Sequence, residues 1–182
     1  PFFIGEYMNE LLEMKFYKVD TNYLNELRKI DNRVPFNKEY VGSSKKTRPY
    51  IGIMLVVDGV DYLVPLTSKT NKRSTYINIP IFDKNNKKIA YLLINNMVPV
   101  PESCRTLIDM DGVLSIDPAY HDLLLNEINY LRPRTETIKK RCDDIRSVKV
   151  KGKFRERITD AMADYCLNLL ELEKVYAYYY EN

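Results

Sequence analysis

The sequence predicts an α+β protein: a small, strongly curved antiparallel β-barrel with helices added mainly at its C-terminal end. Three observations carry that prediction. Roughly six short strand-like segments follow one another at close spacing between residues 15 and 110. Two apolar runs, YIGIMLVV and VDYLVPL, flank Asp58-Gly59. From Asp117 onward the apolar spacing changes from two to three-and-four, the period of a helix. With 182 residues, 45% of them hydrophobic, the chain is long enough for one domain with a real core and cramped for two.

Each element follows from its own residues. KFYKV (15–19) alternates as a short strand, and Asp20 or Thr21 caps a helix over about 22–31 that places Tyr23, Leu24, Leu27 and Ile30 at helical spacing. The stretch 32–49 is polar and basic, and a loop of that length is functional or disordered more often than it is a plain connector. Asp58-Gly59 predicts a type I′ hairpin, because both turn positions need φ > 0. TYINIPIF (75–82) alternates with Ile77, Ile79 and Ile81 on one side, DKNNKK (83–88) turns, IAYLLIN (89–95) is a buried strand, VPVPES (98–103) breaks the chain, and RTLIDM (105–110) is a further strand. Asp117 then caps a helix with Pro118 in its first turn and Leu124, Ile128 and Leu131 on one face. Pro133 interrupts it, a second basic helix runs to about Ser147, KVKGKFRER (149–157) is a basic linker or hairpin, and 158–180 is one final tyrosine-rich helix. Residues 1–13 stand before a second plausible start, Met14, and read as an extension, native or not, ahead of a single domain at 14–182 (barrel about 14–110, helical part about 117–180).

Several function classes are excluded by composition. No apolar run approaches the roughly 20 residues that span a bilayer, and residues 1–4 are too short for a signal-peptide core. No membrane association is expected, and the expected location is cytoplasmic. The three cysteines, Cys104, Cys142 and Cys166, have neither zinc spacing nor a disulfide framework and read as buried thiols in a reducing compartment. The one histidine, His121, leaves little for a His-based metal centre or acid–base pair and reads as a surface or packing residue. Gly-rich phosphate loops, CxxC pairs, HExxH and GxSxG are absent, and carboxylates are scattered rather than paired. No metal and no cofactor is called for.

What remains is hydroxyl plus cation. The net charge is only +3, yet residues 132–157 hold eleven Lys/Arg against four acids, the electrostatic footprint of a polyanion partner, although a solvated basic face is the commoner cause of such a cluster. Thr67 and Ser68 end an apolar strand beside Lys69, and the 32–49 loop supplies Lys38, Tyr40, Lys45, Lys46 and Arg48. Loop and hairpin join at Pro49–Tyr50, so both clusters can face one groove. RNA brings its own nucleophile, the 2′-OH. An enzyme that orients that hydroxyl and stabilises charge on the phosphate needs neither metal nor histidine. The plainer alternative for Thr67 and Ser68 is an ordinary strand end whose hydroxyls satisfy nearby backbone.

Three stretches, MKFYKVDTNYLNELRKIDNRVPFNKEY (14–40), RPYIGIMLVVDGVDYLVPLTSK (48–69) and LLINNMVPVPES (92–103), resemble the ToxN/AbiQ family of type III toxin–antitoxin endoribonucleases. The resemblance covers about 14–182 in order of elements and is specific from 14 to 103. It implies a fold related to the Kid/MazF barrel and metal-independent RNA cleavage that leaves a 2′,3′-cyclic phosphate and a 5′-OH. It also implies inhibition by a repeat-derived, pseudoknotted antitoxin RNA that the enzyme cuts from its own precursor, a closed toxin–RNA assembly, action on cellular RNA, and phage defence by abortive infection. Carried over by position, Thr67 and Ser68 match the family's strand-end Thr-Ser pair and would position the 2′-OH and phosphate. Lys69 and Arg48 would stabilise the transition state, with a deprotonated lysine or Tyr40 as proton acceptor. Lys38, Lys45, Lys46, Lys72, Arg73, Arg134, Lys139, Lys140, Lys149, Lys151 and Lys153 would grip RNA. A non-catalytic RNA-binding or inhibitor-type module on the same barrel is the competing reading, and a basic structural protein without a site is a third.

Overall fold

The computed structural model describes residues 14–35, 51–69 and 76–181. The chain opens on β1 (Phe16–Val19), and α1 (Thr21–Ile30) follows at once because the Asp20 carboxylate accepts a hydrogen bond from the Tyr23 amide at 3.0 Å. This helix buries Tyr23, Leu24 and Leu27, as its spacing requires, but leaves Ile30 45% exposed.

The predicted hairpin is present: β2 (Ile51–Val57) and β3 (Val60–Thr67) pair antiparallel, with Asp58 at φ 54° and Gly59 at φ 79°. Gly52 is the residue the sheet cannot exchange. A Cβ there would lie 2.3 Å from the Val64 carbonyl oxygen, so the two backbones approach closely only because the side chain is absent. β4 (Ile79–Phe82), β5 (Lys88–Leu92), β6 (Val98–Pro99) and β7 (Arg105–Leu107) complete one antiparallel sheet of order β4-β5-β3-β2-β1-β7, with β6 paired to β3. That path is open: β4 and β7 stand at its two ends, and the described residues do not close it into a barrel.

Several sequence expectations change in detail. Of the strand expected over 75–82, residue 75 lies outside the described residues, and from Tyr76 on the strand is regular only from Ile79, where Asn78 has turned inward and its side-chain oxygen accepts from the Asn95 amide. The strand expected over 89–95 starts at Lys88 and stops at Leu92, after which Ile94–Asn96 forms a 310 turn. The break at 98–103 contains β6. Strand 105–110 ends at Leu107, and α2 (Met110–Ile116) follows; none of its residues is buried, so it leaves no apolar period to read.

The Asp117 cap and Pro118 start α3 (Pro118–Leu131) as expected, with the Tyr120 amide donating to Asp117 at 3.1 Å. Pro133 sits in a 310 turn, Arg132–Arg134, leading into α4 (Thr135–Lys151). α4 runs four residues past Ser147 and stops at Gly152, whose φ of 61° supplies the left-handed cap. So 149–151 is helix rather than linker.

The final helix is two, α5 (Asp160–Tyr165) and α6 (Leu169–Glu181). Partners distant in sequence impose the break. Arg33 donates to the carbonyls of Asp164 at 2.9 Å and Cys166 at 3.0 Å; the Leu167 amide donates to the Asn95 carbonyl, and the Asn168 amide to the Asp31 carboxylate at 3.0 Å. The core lies where these helices cover the sheet, built from Phe16, Leu27, Ile53, Leu63, Leu92, Ile138, Ile145 and Leu172 among others.

Candidate functional site

β3 delivers the hydroxyl pair. Its interior, Tyr62 to Pro65, is buried; Thr67 is half-buried, and Ser68 and Lys69 are exposed. The Lys69 amide donates to Thr67 Oγ1 at 3.3 Å, a local turn that ends the strand. Ser68 and Lys69 have no side-chain partner among the described residues, so a hydroxyl and an ammonium stand open to solvent at the strand end. Five candidates from the 32–49 loop, Lys38, Tyr40, Lys45, Lys46 and Arg48, lie outside the described residues, as do Lys72 and Arg73.

The basic stretch 132–157 is divided by the structure. Part of it holds the molecule together. Arg146, 7% exposed, donates to Glu173 through Nε at 2.7 Å and through Nη2 at 2.9 Å, and to Asp58 at the hairpin turn at 2.7 Å. Lys151 pairs with the same Asp58 carboxylate, which its hydrogen bond holds below the usual range. Burial pushes the Tyr62 phenol well above its ordinary value, helped by its hydrogen bond to Glu173. Lys149 donates to the Ala163 carbonyl at 3.1 Å, and Lys140 pairs with Asp144 at 3.1 Å. Lys139 and Lys140 also line an open cleft with Val56, Val57, Asp58, Glu136 and Asp143, where three carboxylates face two ammonium groups.

Three arginines of the stretch lie over aromatic rings. The Arg134 guanidinium lies 3.7 Å from the centroid of Tyr130. Arg141 and Arg157 both lie over Tyr76, at 4.9 and 5.8 Å. Lys153 is exposed; its amide donates to the Ser147 carbonyl, and its ammonium has no partner among the described residues. Cations stacked on rings suit unpaired nucleotides, whose bases stack and whose phosphates take the charge. Tyr76 is the member that sequence reading does not single out. It stands among 15 tyrosines, and only the fold brings two arginines from beyond residue 140 to it.

Thiolate chemistry loses ground. All three cysteines are buried and free; burial pushes Cys166 up to about 12 and raises Cys104 and Cys142, so none is a thiolate at neutral pH. His121 is a partly covered residue whose ring lies 3.3 Å from the neighbouring Asp122. Among the described residues no cluster of His, Cys, Asp or Glu is placed to hold a metal ion, and no helix is long and apolar enough to cross a membrane.

Fold and surface together define an α+β protein with an antiparallel sheet, an open hydroxyl–lysine strand end and cations mounted on rings. The chain belongs to the ToxN toxin family of type III toxin–antitoxin systems, whose family model matches residues 15–177. It is similar to endoribonuclease ToxN of Bacillus thuringiensis subsp. kurstaki, 36% identical over 141 residues that span 76% of this chain and 71% of that protein. It is also similar to endoribonuclease AbiQ of Lactococcus lactis subsp. lactis, 27% identical over 75% of this chain and 77% of that one. A solved type III toxin structure, described for selective toxin inhibition by a non-coding RNA pseudoknot, matches with a TM-score of 0.79 and 32% identity, covering 92% of this chain and 98% of that one. The solved AbiQ fold, at 23% identity, matches with a TM-score of 0.73 over 93% of this chain and 99% of that one.

Proposed function

We propose that this chain is the toxin of a type III toxin–antitoxin system and acts as a sequence-selective, metal-independent endoribonuclease. The observation that carries the reading is the 36% identity to an endoribonuclease ToxN over three quarters of the chain. The open Thr67–Ser68–Lys69 strand end supports it. One domain spanning 14–182 carries the activity in the cytoplasm, and its coiled sheet is read as a relative of the Kid/MazF barrel.

The chemistry uses the substrate's own nucleophile. The 2′-OH attacks the adjacent phosphorus in line, the P–O5′ bond breaks, and a 2′,3′-cyclic phosphate and a 5′-OH result. The 2′-OH proton leaves to a base, for which Tyr40 or a deprotonated lysine is the candidate, and the departing O5′ gains a proton. Thr67 and Ser68 position the 2′-OH and the phosphate, while Lys69 and Arg48 neutralise the extra charge on the phosphoryl oxygens. Removing one such preorganised donor costs about 3 kcal/mol, on the order of a hundredfold in rate. The substrates are cellular RNA and the precursor of a repeat antitoxin RNA. The processed pseudoknot stays bound in a closed assembly and blocks the same groove, and the system serves phage defence by abortive infection.

The Thr67–Lys69 bond also suits a binding module with an ordinary strand end, and one experiment separates the two. Wild type and Ser68→Ala are induced in cells, and new RNA 5′ ends are mapped. Growth arrest with sequence-restricted 5′-OH ends in the wild type alone is expected. Equal toxicity from both, or no new ends from either, would overturn the catalytic assignment.

A further inference from the structure

The β4–β5 hairpin is irregular at one point. Ile79 pairs with Leu92, Pro80 with Tyr91 and Ile81 with Ala90, but Phe82 pairs with Lys88, which leaves Ile89 as an extra residue. Side chains alternate along a strand, so one extra residue moves everything beyond it to the other side of the sheet. In a regular strand Lys88 would share the side of Ala90, Leu92 and Ile81, all buried in the core. With the bulge it shares the side of Tyr91, Pro80 and Phe82. Thr67 is on that side too, because it is the direct cross-strand partner of Tyr91.

Local contacts fix the ammonium there. Lys88 Nζ donates to Tyr91 Oη at 2.9 Å and lies 5.1 Å from the centroid of the Tyr91 ring. Lys88 is half-buried, yet its side-chain partner is Tyr91 and no carboxylate pairs with it among the described residues. A partly desolvated cation without a counter-charge is a waiting anion site. Beyond it, Phe82 lies 6.0 Å from Tyr130, which carries Arg134 on its face.

We propose that Lys88, aimed by the bulge and held by Tyr91, binds an RNA phosphate flanking the scissile one, and that Phe82, Tyr130 and Arg134 extend this track along the strand. The inference rests on the ribonuclease reading above and adds to it a positioning residue that sets where RNA lies relative to Thr67 and Ser68. Lys88 touches no reacting atom, so its loss weakens RNA binding and leaves the chemical step.

The test uses the full chain and a single-stranded RNA oligonucleotide that the wild type cleaves. Lys88→Ala is expected to raise KM about tenfold, the loss of one charge-assisted contact, with kcat nearly unchanged. The slope of log affinity against log salt, measured in the Ser68→Ala background, should fall by about 0.7, one phosphate on a single strand. Lys88→Arg should recover most of both, and Lys87→Ala, an exposed neighbour in the turn, should match the parent. Thermal melts accompany each variant; should Lys88→Ala melt early, the Lys88→Arg and Lys88→Met pair, charge kept against charge removed at similar length, decides. An unchanged KM and slope, or an equal loss in Lys87→Ala, would overturn the proposal. Should the wild type bind the RNA without cutting it, the ribonuclease reading fails, and the salt slope still decides Lys88.

Discussion

Replacing Arg146 with methionine tests the claim that part of the basic stretch is internal. Arg146 satisfies Glu173 through two hydrogen bonds of 2.7 and 2.9 Å and Asp58 through one of 2.7 Å. Methionine fills much of the volume but leaves the Glu173 carboxylate, 15% exposed, with the Tyr62 hydroxyl as its remaining partner in this cluster. Breaking a buried pair from one side costs 3–5 kcal/mol, and the lower end, about 3, applies because Asp58 is half-exposed and keeps Lys151. For a chain of this size that is a fall in Tm of about 6–12 °C. Asp58→Asn is the control: asparagine tolerates the left-handed turn conformation at φ 54°, and losing an exposed, solvent-screened charge there should cost far less than Arg146→Met. The assay is urea unfolding followed by far-UV circular dichroism, with RNA affinity against salt measured on the folded variant. A loss below about 1 kcal/mol in Arg146→Met, or an equal loss in Asp58→Asn, would refute the buried-knot account. A reduced salt slope would place Arg146 on the RNA instead.

Two further outcomes are expected. Asp31 accepts from the Arg33 side chain at 2.7 and 2.9 Å and from the amides of Arg33 and Asn168, and the Arg33 hydrogen bonds hold its carboxyl below the usual range. A depressed carboxylate contributes stability that is present above its unfolded pKa, near 4, and lost as pH falls through the lower folded value. Asp31→Asn should therefore cost about 2 kcal/mol at pH 7 in urea unfolding and progressively less on acidification below pH 4; a constant penalty down to pH 2 would refute the charge account. RNA cleavage by the wild type should be equal in excess EDTA and in magnesium, scored on gels of labelled RNA. Loss on chelation would reject the metal-free mechanism.

Legibility followed the range of the interaction. The type I′ hairpin was readable because two adjacent residues decide it, and Asp58 and Gly59 both take φ > 0. The Asp20 and Asp117 caps were readable for the same reason, each accepting from an amide three residues on. The 158–180 segment looked like one helix because nothing within it announces Asp31, Arg33 and Asn95, which hold the break from more than 70 residues away. α2 leaves little apolar period to read because none of its residues is fully buried and only Met110 and Val113 pack, half-buried, against the core. At the site, the hydroxyl–lysine strand end was legible as residue types, and the family resemblance gave those residues a role. The bulge at Ile89 left no trace in the residue pattern.

By itself, then, the sequence determined the α+β class, the hairpin, the capped starts at Asp20 and Asp117, the buried thiols and the family, since each depends on neighbours along the chain or on a run of matched residues. Tertiary structure alone decided which cations are available. Arg146 and Arg141 stand five residues apart in one basic run, yet one is sealed between two carboxylates and the other lies over Tyr76. The physical reason is that a side chain's charge is written in its residue type, whereas its burial and its partners are set by whatever the fold packs against it.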